Sequence, residues 1–454
     1  MPTVVVVGAG FGGIQAVRAL KRAPVKTILV DQRNFHLFTP LLYQVASALL
    51  DPSEIAHPTR SMLRGIHNAE FRLGRVDGID LAGRRLQTDR GDIAYDYLIL
   101  SPGSIVNFFG NDALARAAFP LKDLGDGLAL RNHILANFEQ ASWTSDPAER
   151  KALLTFAVVG GGPTGVEYAG ALSELITNVL RKDFPELDIR EVEIVLIEAV
   201  PSLLTSYPPR LQRAGIRTLE RKGIRLIFDA PVKEADERGL RLGTGEEVKA
   251  RTVIWTAGVR GAALGEALGE PLARQSRIKV EPTLQLPGHP EVFVIGDLAE
   301  VMHGGQPLPM VIQPALQEAR CAARNIQHLL RGEPLEAFKY FDLGQMATIG
   351  RNSAVADIRG IRLSGFPGWV FWLVFHLLQI VDLRSRLVVL INWIGDYVFL
   401  DRPVRLIAGP KIHPHPGPLP EGEGGQRPHP EGEGKLAPPR EDEGVEVAAD
   451  RRRI

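Results

Sequence analysis

At 454 residues the chain is longer than one hydrophobic core usually serves, so two or three domains are expected. Its 53 Lys and Arg balance 53 Asp and Glu, which argues against nucleic acid as the main partner. The single cysteine, Cys321, excludes a disulfide framework, a cysteine-based zinc or iron–sulfur site and an internal redox-active cysteine pair.

Residues 4–7 are four consecutive valines, a pattern expected of a strand buried on both faces of a parallel sheet. Because this strand begins at the N-terminus, no cleavable signal peptide is expected and the bulk of the protein is placed in the cytoplasm. Gly8, Gly10 and Gly13 then supply G-x-G-x-x-G ahead of a helix-like run over 14–20. Gly8 permits the tight turn, Gly10 lets the backbone approach a pyrophosphate, and Gly13 lets the helix pack close to the strand. A second strand over 27–30 ends in Asp31, whose carboxylate is placed to accept from a ribose hydroxyl. Strand, glycines, helix, strand and acid in this order predict a dinucleotide site, without saying which dinucleotide.

Residues 33–45 carry aromatic and aliphatic runs around Pro40, with His36 among them, and predict core packing in a loop that enters a helix continuing to 64. Strands over 70–76 and 84–88, with Gly and Asp turns, predict an antiparallel excursion. A buried strand over 95–100 closes at Ser101-Pro102-Gly103, and a helix is expected around 124–141. The opening pattern then repeats. A strand over 154–159 leads into Gly160, Gly162 and Gly165, a helix carrying Glu167, and a strand over 192–197 that ends in Glu198. The long gap from Gly165 to Glu198 is accounted for by a helix reaching Lys182 and a loop through Pro185. Two such units predict two dinucleotides facing each other.

Further strands are expected over 223–228, 252–258 and 292–297, the last placing Asp297 at its C-terminal end, where α/β folds put ligand groups. A helix after Pro309 carries Gln313 and Gln317 at i, i+4 spacing, which puts both amides on one face. Such a pair is ordinarily solvated surface. Residues 369–381 and 387–400 are apolar runs interrupted by His376, Gln379, Asn392, Gly395 and Asp396. Each is shorter than the ~20 apolar residues a spanning helix needs. Residues 351–411 hold eight Lys and Arg against four Asp and no Glu, a surplus suited to anionic headgroups. Two amphipathic helices lying in one leaflet and joined at 382–386 are expected; a buried dimer interface would use the same surface. The tail from 411 is Pro- and Gly-rich, without an aromatic residue, and its composition predicts disorder, with His413, His415 and His429 as incidental histidines.

Several stretches together resemble the type II NADH:quinone oxidoreductases, the single-subunit alternative NADH dehydrogenases. They are the paired glycine units, residues 33–46, residues 292–297, Gln313-Pro-Ala-Leu-Gln317 and the Trp-rich amphipathic end; the resemblance covers residues 3–408. It implies an α/β fold with two Rossmann-like dinucleotide-binding domains and C-terminal amphipathic membrane-attachment helices. Residues 1–115 and 291–364 would bind FAD non-covalently through Gly8, Gly10, Gly13, Asp31 and Asp297. An inserted domain, 116–290, would bind NADH through Gly160, Gly162, Gly165 and Glu198, whose carboxylate accepts from a 2′-hydroxyl and repels a 2′-phosphate. Residues 365–410 would be the membrane anchor and 411–454 a disordered tail.

The same resemblance implies that Glu167 lies near nicotinamide and flavin, and that Gln313 and Gln317 lie where quinone arrives. The activity implied is oxidation of NADH with two-electron reduction of menaquinone or ubiquinone in a respiratory chain, without proton pumping or a metal. The enzyme would be peripheral and monotopic at the cytoplasmic face of the inner membrane, with a homodimer plausible. Ile312 and Ala319 stand where the family usually has Ala and Gly, and are expected to reshape the quinone channel. Ser101-Pro102-Gly103 replaces Ala-Thr-Gly, altering a turn beside FAD. Sulfide:quinone oxidoreductase shares the fold but needs cysteines to carry sulfur. A membrane-bound NADH sensor with little turnover is favoured only by the bulk of Ile312.

Overall fold

The computed structural model describes residues 1–380, 383–400, 402 and 404–407. The expected disordered tail with its three histidines, and Asp382 of the expected connector, lie outside the described residues.

The valine run becomes β1 (Thr3–Val7), followed by α1 (Phe11–Ala19) and β2 (Lys26–Asp31). Next come β3 (Ala69–Leu73), β4 (Tyr97–Leu100) and, much later in the chain, β10 (Gln285–Leu286) and β11 (His289–Val294). These form one six-stranded sheet in the order β10-β11-β4-β1-β2-β3, parallel except for β10 against β11. Strand β3 therefore joins the main sheet in parallel rather than belonging to the antiparallel excursion, which is built instead from Val76–Asp80, Arg85–Thr88 and Ile93–Ala94. Its apolar Phe71 is buried in the first core, the one formed around this six-stranded sheet, and that burial decides the pairing. The continuous helix expected after Pro40 is broken into short turns at Leu42–Ala46, Pro52–Ile55 and Thr59–Met62. Pro52 and Pro58 remove the N–H groups a longer helix would need.

Between those two sets of strands the chain makes β5 (Phe119–Pro120), α2 (Leu124–Trp143), β6 (Thr155–Val159) and α3 (Pro163–Glu174). Then follow β7 (Glu193–Ile197), β8 (Arg225–Ile227) and β9 (Thr252–Trp255). They form an all-parallel sheet in the order β5-β9-β6-β7-β8. Beyond α3 the helix runs on through a π-helical turn, Leu175–Leu180, to Asp183, which fills the long gap before β7. In each sheet the glycine-bearing strand, β1 or β6, lies between its sequence successor and a later strand. That arrangement opens a crevice at the strands' C-terminal ends.

After β11, α4 (Ile312–Arg331) returns to pack on α1. The chain then forms an antiparallel sheet, β12 (Gln345–Thr348), β13 (Ala354–Ile358) and β14 (Ile361–Gly365). This sheet seats on α3 so closely that a Cβ on Gly170 would stand 2.9 Å from the Ile349 carbonyl carbon. The two apolar runs form α5 (Phe366–Gln379) and α6 (Leu383–Phe399). Among the described residues, no helix is long and apolar enough to cross a membrane. The helices are amphipathic, with His376, Asn392 and Asp396 turned inward and Gln379 and Arg384 exposed. Trp372 and His376 of α5 and Trp393 of α6 are buried, while Phe366, Val374, Leu378, Leu387, Ile391, Val398 and Phe399 are exposed. Asn392 donates to Glu54 at 2.6 Å, and the Trp393 indole donates to the Gln44 carbonyl oxygen at 2.8 Å.

Candidate active site

The two glycine loops divide their glycines between folding and ligand. Gly8 adopts φ +98°, and a Cβ there would stand 2.2 Å from the Ser101 carbonyl oxygen; one on Gly13 would stand 1.8 Å from the Gly8 oxygen. The second loop repeats this, with Gly160 at φ +112° and a Gly165 Cβ placed 1.9 Å from the Gly160 oxygen. A Cβ on Gly10 or Gly162 would meet nothing within 4 Å. These middle glycines N-cap α1 and α3 without any side-chain cap, so the first helical N–H groups face open space and suit a pyrophosphate.

The acids after β2 and β7 are bound to those loops in the same way. Asp31 accepts from the Ala9 N–H at 2.6 Å and from Arg33 at 2.7 Å; Glu198 accepts from Gly161 at 2.5 Å and Val200 at 3.2 Å. Burial raises the Asp31 pKa, with the two N–H groups opposing. Each carboxylate keeps lone pairs for ribose hydroxyls. His36 lines the cavity and its Nδ1 donates to the Ala9 carbonyl at 2.9 Å, so this core histidine also shapes the first loop.

Asp297 stands on the turn after β11, as its position in sequence implied. Its Oδ2 accepts a short hydrogen bond from Ser104, and Lys122 donates to the same Ser104 hydroxyl at 2.7 Å. Buried Glu318 of α4 accepts from the Gly296 N–H at 2.6 Å and thereby ties this turn to α4; burial pushes its pKa up to about 7. Ser104, Lys122 and Glu318 were not singled out from the sequence. Only Glu318 left a signal, an acid on the buried face of a helix.

A cavity of about 1300 Å³ opens beside the first turns of both glycine-loop helices and reaches His36 and Lys122. Its walls come from the starts of α1, α3 and α4, from the Thr256–Val259 segment after β9, and from α5. Glu167 lines it, accepts from the Thr348 N–H at 3.2 Å, and has its pKa raised by burial to about 8, so it rests as the neutral acid. Gln313 also lines the cavity. Gln317 does not: its amide exchanges two hydrogen bonds with the Phe341 backbone, each 2.9 Å. The pair shares a helix face, but the 341 segment covers its second member. Ile312 lines the cavity, whereas Ala319 is fully buried in the core of the six-stranded sheet.

The profile of the pyridine nucleotide-disulphide oxidoreductases matches residues 2–319, and that of the NDH2 C-terminal domain matches residues 343–400. The type II NADH:quinone oxidoreductase Ndh of Mycobacterium tuberculosis is 40% identical over 405 residues, covering 86% of this chain and 87% of its own. The chain belongs to the type II NADH:quinone oxidoreductase family. A plant relative, the mitochondrial internal alternative NAD(P)H-ubiquinone oxidoreductase A1 of Arabidopsis thaliana, is 29% identical and covers 88% of this chain and 84% of its own. Among solved structures, NDH2 from Plasmodium falciparum in complex with NADH superposes with a TM-score of 0.82 at 19% identity, covering 89% of this chain and 99% of that one. The sulfide:quinone oxidoreductase of Aquifex aeolicus reaches 0.66 at 20% identity, covering 83% and 90%. The family's fold therefore extends through the C-terminal helices.

Proposed function

We propose that the chain is an FAD-dependent NADH:quinone oxidoreductase working at a membrane surface. The observation that carries this reading is the cavity itself, which runs without interruption from both glycine-loop helices to the lipophilic helix α5. FAD fits the first loop: the open side of Gly10, the uncapped start of α1, the acceptor Asp31, and Asp297 with Ser104 and Lys122 would hold it. Bound there, FAD would take a hydride from NADH and pass two electrons to the quinone. Gly162, the uncapped start of α3 and Glu198 would hold NADH, the Glu198 carboxylate favouring NADH over NADPH. Glu167 and Gln313 line the space between, and apolar walls from Phe11, Leu316 and Phe375 exclude water.

The exposed face of α5 and α6 would lie on the membrane leaflet that meets the cytoplasmic NADH pool. Exposed Arg359, Arg362 and Arg384 around it suit anionic headgroups better than a second copy of the same basic face. Menaquinone or ubiquinone would enter from the lipid. No observation favours the sulfide reading, since Cys321 is buried in the first core away from the cavity, with its thiol pKa raised to about 11. The test is anaerobic mixing of the flavin-loaded protein with NADH and then with a short-chain quinone. Flavin absorbance should bleach and then return; bleaching without return would defeat the reading in favour of a sensor.

A further inference from the structure

We propose that His376 is the proton-handling contact for the quinone, its Nε2 meeting a ring oxygen on the membrane side of the cavity. This rests on the functional reading above. The histidine interrupts an apolar run that otherwise serves attachment, and it points inward. Its Nδ1 lies 2.8 Å from the Trp372 carbonyl oxygen one turn earlier. A carbonyl only accepts, so Nδ1 carries the hydrogen and Nε2 keeps its lone pair. The ring is stacked on Trp372 with centroids 4.2 Å apart and meets the edge of Phe375 at 5.5 Å. Its orientation is thus held from two sides, leaving Nε2 as the free nitrogen of a residue that lines the same cavity as Gln313 and Glu167.

Quinol formation needs two protons. Gln313 has only an amide, which is no acid at neutral pH, and Gln317 is engaged with Phe341. Burial lowers the His376 pKa to about 4, so the resting ring is neutral and its protonated form gives up a proton readily. The step balances as follows. Nε2 takes a proton from solvent; its N–H bond breaks as the O–H bond to the quinone oxygen forms, and the N–H electron pair stays on Nε2. Both electrons and the second proton come from the NADH hydride by way of the flavin, so one solvent proton is consumed per quinol and the imidazole is neither oxidised nor reduced. Leu378 and Phe371, on the same helix and partly exposed, line the cavity where it nears the lipid-facing side, so the substrate reaching His376 is a lipophilic quinone.

The test uses the full-length, flavin-loaded protein and His376→Phe, which keeps an aromatic ring against Trp372 and removes both nitrogens. Three rates are read by anaerobic rapid mixing: flavin reduction by NADH, reoxidation by a short-chain quinone, and reoxidation by ferricyanide, which takes electrons without protons. The quinone rate should fall by roughly tenfold or more, as for loss of a general acid, while the other two stay within about twofold. The solvent deuterium isotope effect on the quinone step should rise. His376→Gln, which keeps a polar group near the Nε2 position but is no acid, should stay slow with quinone while retaining the ferricyanide rate, and serves as the comparison if His376→Phe fails to retain flavin. An unchanged quinone rate, or equal slowing with quinone and ferricyanide, overturns the proposal alone. A wild-type protein reoxidised by ferricyanide but never by quinone overturns the functional reading as well.

Discussion

The Glu167 carboxylate on α3 accepts the backbone N–H of Thr348, 181 positions further along the chain, at 3.2 Å. One bond therefore ties the helix at the second glycine loop to the sheet that carries α5. The acid is also partly desolvated, and burial raises its pKa from 4.5 to about 8. Below 4.5 folded and unfolded chains both hold this proton. Between 4.5 and about 8 only the folded chain does, so its contribution to stability declines as pH rises through that window. Glu167→Gln in the flavin-free protein should flatten the fall by up to about 1.4 kcal/mol per pH unit, measured by urea unfolding at several pH values.

Gly10 and Gly13 should separate ligand from fold. Gly13→Ala drives a methyl onto the Gly8 oxygen and should destabilise the protein by about 3 kcal/mol or more. Gly10 has an ordinary φ of −72° and an open side, so Gly10→Ala should leave flavin-free stability within about 0.5 kcal/mol. Its flavin content after purification should nonetheless drop sharply. Flavin retained at the wild-type level would remove Gly10 from the cofactor site.

Glu198→Gln keeps the side chain's shape while removing its charge. A charge-assisted hydrogen bond is worth about 1.5–3 kcal/mol, so kcat/KM for NADH should fall roughly tenfold or more, and the preference over NADPH should shrink. Steady-state kinetics with both nucleotides decides this; unaltered discrimination would show that Glu198 serves only the Gly161 loop.

Arg402 is buried, donates to the carbonyls of Ser47 at 2.8 Å and Ala171 at 3.2 Å, and pairs with Asp396 at 3.2 Å and Glu174 at 3.6 Å. Removing one member of a buried ion cluster typically costs about 3–5 kcal/mol, because its partners stay behind without their countercharge. Arg402→Met should lower the urea midpoint accordingly and expose α6 to limited proteolysis.

Ile391 and Leu387 are 65% and 51% exposed on one side of α6, so charge placed there should weaken lipid binding without touching the cavity. Leu387→Asp with Ile391→Asp should shift the protein from vesicle pellet to supernatant in flotation or sedimentation, with NADH-dependent flavin reduction preserved. Deleting 366–410 outright is a poorer test, since it removes Trp372 from the core and His376 from the cavity wall.

Both glycine units, their terminal acids and the apolar helices were legible in the chain because each is a local pattern. A run of valines, a glycine forced to positive φ and a helix start are settled within some thirty residues by backbone sterics and periodicity. What the tertiary structure decided lies in pairs distant along the chain. Asp297 meets Ser104 and Lys122, Gln317 is taken up by Phe341, and Ala319 sinks into a core while Ile312 borders the cavity. Strand β3 left its expected hairpin because Phe71 had a parallel sheet to bury against. The same reason turned α5 over: its apolar majority did not reveal which few residues face inward. Only packing on the C-terminal sheet placed Trp372 and His376 inward and Val374 outward. Local sequence sets a side chain's kind and period, but its partner is chosen by burial across the whole fold.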